Sequence, residues 1–123
     1  MVDKSLDHLH PDLRPLCQEW LVNTTMAKLK AIITETWRDP AREDALHAQG
    51  ITHATESNCK HCFELNGNPA SKAFDFLLID EENRIISDGT DDRYTLAGQI
   101  AKDLGMTWGG DFTHPDYDHV EIA

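Results

Sequence analysis

The stretch AFDFLLID (residues 73–80) decides how this chain folds. It is strongly apolar and strand-like, and the polar EEN that follows reads as a turn, so RIIS (residues 84–87) is expected to return as its antiparallel hairpin partner. Working outward, KLKAIITETW (residues 28–37) sets Leu29, Ala31 and Ile33 in alternation and is rich in β-branched residues, which predicts a second strand. Ahead of it, Leu13, Leu16, Cys17, Trp20 and Leu21 recur at helical steps, so residues 11–23 are expected to form an amphipathic helix. Asp39-Pro40 is a helix start, followed by a short helix over residues 41–49 that Gly50 stops. Residues 51–72 show no sustained period and read as a long loop. Beyond the hairpin, Leu96, Ala97, Ile100, Ala101 and Leu104 share a helical face over residues 94–104, closed by Gly105. Thr107-Trp108, a Gly109-Gly110 turn and a last strand over residues 119–122 complete the pattern. The sum is an α+β fold, a small antiparallel sheet with helices packed on one side, in a single domain spanning residues 1–123.

The chain has 123 residues and a formal net charge of −11, from 11 basic against 22 acidic residues. Such acidity argues against a grip on phosphate backbones or anionic lipid, so no nucleic-acid partner is expected. No apolar run approaches the roughly 20 residues of a membrane span, so membrane insertion is not expected either. The first residues, MVDKSLDHLHPDLRPL, lack the basic cluster and apolar segment of a Sec-type signal peptide. Synthesis in the cytoplasm is the expectation, with any export by another route. Cys17, Cys59 and Cys62 are too few and odd in number for a disulfide framework, which suits a reducing compartment. A monomer is expected.

Seven histidines among many carboxylates supply nitrogen and oxygen ligands for a borderline metal. His61, Asp75 and His119 are the best ligand candidates. Asp75 interrupts an apolar run, and a carboxylate inside a buried strand is costly unless it is paired or binds a cation; the alternative is an edge-strand aspartate facing water. In the tail GGDFTHPDYDHVEI, the spacing Asp116-x-x-His119 would let a carboxylate act as general base beside a ligating histidine. An ordinary solvated acidic loop is the alternative there. Arg38, at a strand end, is a candidate for stabilising a developing oxyanion, or is a plain surface arginine. A Cys2His2 set of Cys59, Cys62, His114 and His119 is disfavoured by its central gap, which far exceeds a zinc finger's. A nucleophilic thiol beside His61 is disfavoured because near neighbours on one segment rarely aim at each other.

Several of these segments, in order, resemble the zinc peptidase family of D-alanyl-D-alanine carboxypeptidases and phage L-alanyl-D-glutamate endopeptidases, with its VanY-like, hedgehog-like fold. TWRDPAREDALHAQGIT (residues 36–52) resembles the family's strand-end arginine, helix and Leu-Tyr-Ala-Gln-Gly turn, with His47 in place of the tyrosine. NPASKAFDF (residues 68–76) is similar to the segment ending in Ala-x-Asp, MTWGGDF (residues 106–112) to the Trp-Gly-Gly-Asp turn of the endolysin branch, and DYDHVEI (residues 116–122) to the closing Asp-x-x-His-x-Glu. The resemblance implies Zn2+ bound by His61, Asp75 and His119, Asp116 as catalytic base and Arg38 holding the substrate carbonyl or the oxyanion. Two departures stand out: the usual Ser-x-His is Cys59-Lys60-His61, and His61 and Asp75 are 14 positions apart, against seven in the compact form. His53 is the reserve for the first ligand.

The implied reaction is hydrolysis of a peptidoglycan stem-peptide bond by zinc-activated water. L-Ala-D-Glu cleavage is favoured, with D-Ala-D-Ala carboxypeptidase activity as the alternative. The resemblance also implies an endolysin of phage or prophage origin that is held in the cytoplasm until a separate protein permeabilises the membrane. A non-catalytic zinc or wall-binding module and an acidic interaction protein are the competing classes; only the enzyme needs Asp75, Asp116 and His119 in one cleft.

Overall fold

The computed structural model describes residues 2–51 and 59–123. The helix expected near the N-terminus is α1, Arg14–Met26, and the β-branched segment after it is β1, Lys30–Glu35. Asp39 caps α2, Pro40–Ala48, by accepting a hydrogen bond from the Arg42 amide. The segment expected to be a bare loop carries a 3-10 turn, Lys60–Cys62, and a hairpin of β2, Glu64–Leu65, with β3, Asn68–Pro69. Its Asn66-Gly67 turn has both residues at positive φ, 56° and 78°, which is the two-residue hairpin geometry that Asn-Gly favours. Residues 52–58, His53 among them, lie outside the described residues. The remaining elements are β4, Ala73–Ile79; α3, Asp92–Asp103; β5, Thr107–Trp108; and β6, His119–Glu121.

The main sheet is antiparallel in the order β1-β4-β6-β5. β4 pairs with β1 along one edge, Ile33 opposite Phe76, and at the end of its other edge residues 84–87 return as the sequence predicts, but only as a short pairing and not as a full strand. Tyr94 keeps that pairing short. Its hydroxyl accepts from the Leu78 amide at 3.1 Å and donates to the Ile86 carbonyl at 2.9 Å, standing between the two segments where a ladder would run. What forms of the expected hairpin is the bridge of Ile79 with Ile85 and the backbone bonds from Ile86 N to Leu78 O at 2.9 Å and from Asp80 N to Arg84 O at 2.8 Å.

β4 alternates. Phe74, Phe76 and Leu78 point into the core formed with α1 and α3, and each fully buried side chain of this size contributes about 1.5–3 kcal/mol. Trp20 of α1 packs on both rings, at centroid distances of 5.2 Å to Phe74 and 4.7 Å to Phe76, and its indole N–H donates to the Ala97 carbonyl of α3 at 3.0 Å. α3 approaches β5 closely because Gly98 has no side chain: a Cβ there would lie 2.1 Å from the Trp108 ring. The other face of β4 is left to Asp75. Among the described residues no helix is long and apolar enough to cross a membrane.

Candidate active site and metal centre

Because Phe74 and Phe76 point inward, Asp75 between them must point to the opposite face. It is no edge residue: β6 sets His119 directly opposite it, and on β1 a register irregularity brings Glu35 opposite. His119 Nδ1 lies 3.0 Å from Asp75 Oδ1. His61 arrives from the 3-10 turn, which is pinned by backbone bonds from Arg38 N to His61 O at 3.0 Å and from Lys72 N to Lys60 O at 2.9 Å. Its Nε2 sits 3.1 Å from the same Asp75 Oδ1. The donor atoms of His61, Asp75 and His119 all lie within 4.8 Å of one another.

The outer nitrogens of both rings are spoken for. His61 Nδ1 is 2.6 Å from the Thr36 carbonyl, which can only accept, so Nδ1 carries a hydrogen. His119 Nε2 is 2.8 Å from Glu121 Oε1, which likewise takes an N–H. In their neutral forms both rings therefore aim a lone pair at one carboxylate oxygen. Such a set calls for a cation between its members, a proton or a metal ion, and the carboxylate–histidine and carbonyl–histidine pairings are those that orient metal-ligating imidazoles. The electrostatics agree. Burial works to raise the Asp75 pKa, yet the charge of His61 and the bonds of His119 and His61 outweigh it and hold the carboxylate well below its usual range. Burial works to lower the His119 pKa, yet its bonds to Asp75 and Glu121 raise it to about 10.

Asp116 is exposed, with Oδ2 3.8 Å from His119 Nδ1. Oxygens of Asp75, Asp116 and Asp118 fall within 4.8 Å of one another, and burial, helped by the hydrogen bond to Asp116, pushes Asp118 up to about 8. The loop bearing them is seated on Gly109: Asp116 N donates to Gly109 O at 2.9 Å, and a Cβ on Gly109 would meet Asp116 O at 2.3 Å. Trp108 steadies the same loop by donating to the Tyr117 carbonyl at 2.8 Å.

Arg38 is no plain surface arginine; it is 8% exposed. Its Nη1 donates to Glu43 at 2.6 Å and its Nη2 to Glu35 at 2.7 Å, with Asp75 Oδ2 at 3.5 Å. Arg42 donates to the other oxygen of Glu35 at 2.8 Å. Glu35, Arg38, Arg42, His61, Asp75, Asp116, Asp118 and His119 border a cleft of about 840 Å³, also lined by Lys60, Asp111 and His114.

Cys59 and Cys62 converge with Glu43, not with His114 and His119. The hydrogen bond with Cys62, followed by burial, drives the Cys59 thiol far above its ordinary pKa, which leaves it protonated and unsuited to be a nucleophile. Glu35, Glu43, Arg42, Asp118 and Glu121 were not singled out from the sequence. Glu121 was accessible to it, since two positions along a strand from His119 means the same face; Glu43 becomes visible only once α2 is docked.

A model of the D-alanyl-D-alanine carboxypeptidase family matches residues 12–122. The peptidoglycan L-alanyl-D-glutamate endopeptidase CwlK of Bacillus subtilis (strain 168) is 28% identical over 130 aligned positions, covering 93% of this chain and 73% of that protein. Among solved structures, the L-Ala D-Glu endopeptidase ChiX of Serratia marcescens superposes with a TM-score of 0.73 at 18% identity, over all of this chain and 89% of that one, so the two share a fold. A family match running through β1, β4 and β6, the strands that frame the cleft, makes this chain a peptidase of the D-alanyl-D-alanine carboxypeptidase family.

Proposed function

We propose that this peptidase cleaves the L-Ala-D-Glu bond of peptidoglycan stem peptides, with Zn2+ held by His61, Asp75 and His119 and with Asp116 as general base. The observation that carries the reading is the convergence of two histidine lone pairs and one carboxylate oxygen at the floor of a cleft. Two nitrogens and one oxygen, with a side open to the cleft, match the three-protein-ligand pattern of catalytic zinc sites. A zinc ion there supplies a Lewis acid and makes water a nucleophile at neutral pH.

The chain's own groups divide the remaining work. Asp116, exposed and beside His119, accepts the proton of the attacking water and returns it to the leaving amine. Arg38 lines the cleft wall with its Nη2 3.5 Å from Asp75 Oδ2, where its N–H groups are placed to hold the substrate carbonyl or the developing oxyanion. Arg42, whose Nε is held by Glu35, and Lys60 border the same cleft and are the cations there that suit a free carboxylate of a D-Glu residue. The names of both relatives support the L-Ala-D-Glu bond. The family description supports D-Ala-D-Ala hydrolysis as the second reading. The same proposal has the protein made in the cytoplasm and acting on the wall after release, as a phage or prophage endolysin does.

The test is peptide release from purified peptidoglycan by the wild type, Asp116→Ala and His119→Ala, with mass spectrometry of the fragments and zinc determined on each protein. The reading expects wild-type cleavage at L-Ala-D-Glu, an inactive Asp116→Ala that keeps zinc, and a His119→Ala that loses both. Loss of a terminal D-Ala alone selects the carboxypeptidase, and zinc without any cleavage a binding module.

A further inference from the structure

We propose that Glu43, Cys59 and Cys62 form a second metal site, for a thiophilic divalent ion of the zinc class, distinct from the set at His61, Asp75 and His119. The donor atoms of the three residues lie within 4.8 Å of one another. Cys59 and Cys62 flank the 3-10 turn, whose backbone bond from Cys62 N to Cys59 O, 3.2 Å, brings both thiols to one side in the manner of a Cys-x-x-Cys metal knuckle. Glu43 comes from α2 and is wholly buried.

The carboxylate of Glu43 supplies the independent sign of an absent ligand. Its Oε2 is satisfied, accepting from Arg38 at 2.6 Å and from the Cys59 thiol at 3.3 Å. Its Oε1 is buried with no hydrogen-bond partner among the described residues. A buried carboxylate oxygen left bare is costly, and native proteins rarely tolerate one without a metal, a water or a functional reason. A metal ion bound by both thiolates would supply that partner. Charge also balances: two thiolates and a carboxylate offset the ion together with the adjoining Arg38 guanidinium. Cys59 is buried while Cys62 is half-buried, which leaves a solvent-facing side for entry and for a fourth, water ligand. A Cys59–Cys62 disulfide would fill none of this need, because it leaves Glu43 Oε1 as bare as before.

The position gives the site a use. His61 lies between the two cysteines, so an ion there ties α2 to the turn that presents His61 to Asp75, fixing the backbone of one ligand of the first site. Without the ion that turn is held by its backbone bonds to Arg38 and Lys72.

The experiment titrates Co2+ and Zn2+ into the full chain, reduced and stripped of metal, with chelator competition and absorption spectroscopy. The wild type is expected to take up about two equivalents, one of them giving a thiolate-to-cobalt charge-transfer band. Cys62→Ser, chosen because Cys62 is only half-buried, should lose the band and one equivalent while keeping the other. His119→Ala should keep the band and lose the equivalent that has none. Glu43→Gln should weaken the thiolate-bound equivalent selectively. A wild type that binds one equivalent without a charge-transfer band, a band that survives Cys62→Ser, or a Cys59–Cys62 disulfide formed in thiol buffer in place of metal uptake would each overturn the proposal.

Discussion

Asp75 and His119 are register partners across the β4–β6 pair, and their side chains meet on the cleft face with Nδ1 3.0 Å from Oδ1. The same strand holds the far side of the ring, where Glu121 Oε1 lies 2.8 Å from His119 Nε2. One three-residue strand thus carries a metal-ligand candidate and the group that orients it, and the sheet ladder sets the distance to the next ligand candidate.

That arrangement predicts that Glu121→Ala weakens zinc binding by about 10–100-fold without changing the number of protein ligands, the usual cost of losing an orienting carboxylate. Glu121→Gln, which can still accept from Nε2, should fall between the two. Chelator competition for zinc measures both. Equal affinity in the wild type and Glu121→Ala would mean that the ring is held by packing alone.

Arg38 answers to a different energy balance. Its guanidinium neutralises the buried Glu43 and Glu35, so Arg38→Ala leaves the Glu43 carboxylate buried without a counter-charge, held only by the Cys59 thiol. The expected loss is about 3–5 kcal/mol in urea unfolding, the range for breaking one side of a buried pair. Arg38→Ala combined with Glu43→Leu should recover part of it, because the stranded charge is then gone. A double variant no more stable than Arg38→Ala would shift the weight to Glu35 and Asp75.

Much of this was legible in the sequence because it rests on local patterns. The apolar alternation of β4 marked Asp75 as misplaced unless paired, and the short spacing of Asp116 and His119 predicted that they share a loop end. The spacing of Leu13, Cys17 and Trp20 marked the buried face of α1. What was not legible depends on distant partners. Residues 84–87 look like a full hairpin strand in isolation, and only the Tyr94 hydroxyl, from α3, cuts their pairing short on the edge of β4 opposite β1. The sequence leaves Arg38 open between an oxyanion role and a plain surface arginine, because its partners Glu35 and Glu43 come together only when β1 and α2 are both in place. The Asn66-Gly67 hairpin is a plain miss: the turn signal was present, but its flanking strands are two residues long and carry no alternation to notice.

Gly109 gives a prediction that separates positioning from stability. A methyl group there would sit 2.3 Å from the Asp116 carbonyl oxygen and 3.0 Å from His119 Cβ, so Gly109→Ala must push the Asp116 loop outward. A shift of about 1 Å in a catalytic base costs on the order of 100-fold in turnover. The expected outcome is a kcat reduced to that extent with KM little altered, far-UV circular dichroism unchanged and zinc retained. Loss of zinc together with activity would show that the strain passes into His119 instead.

The last prediction concerns acid. Asp91 caps α3, accepting from the Arg93 amide and from its side chain, each at 2.9 Å, and these bonds, the side-chain one foremost, lower its pKa from 3.8 to about 2. A carboxylate depressed in the folded state stabilises in full above its unfolded pKa, and that contribution drains away as pH falls through the folded value. The window is therefore from about pH 4 down to about pH 2. Asp91→Asn keeps a good capping side chain but has nothing to titrate and no charge for Arg93. Thermal unfolding should show the wild type more stable than Asp91→Asn at pH 6, with the gap closing between pH 4 and 2. Asp80 and Asp88, also depressed, are common to both proteins and drop out of the difference. A gap that stays constant through that window would mean that Asp91 acts through its hydrogen-bond geometry alone and not through its charge.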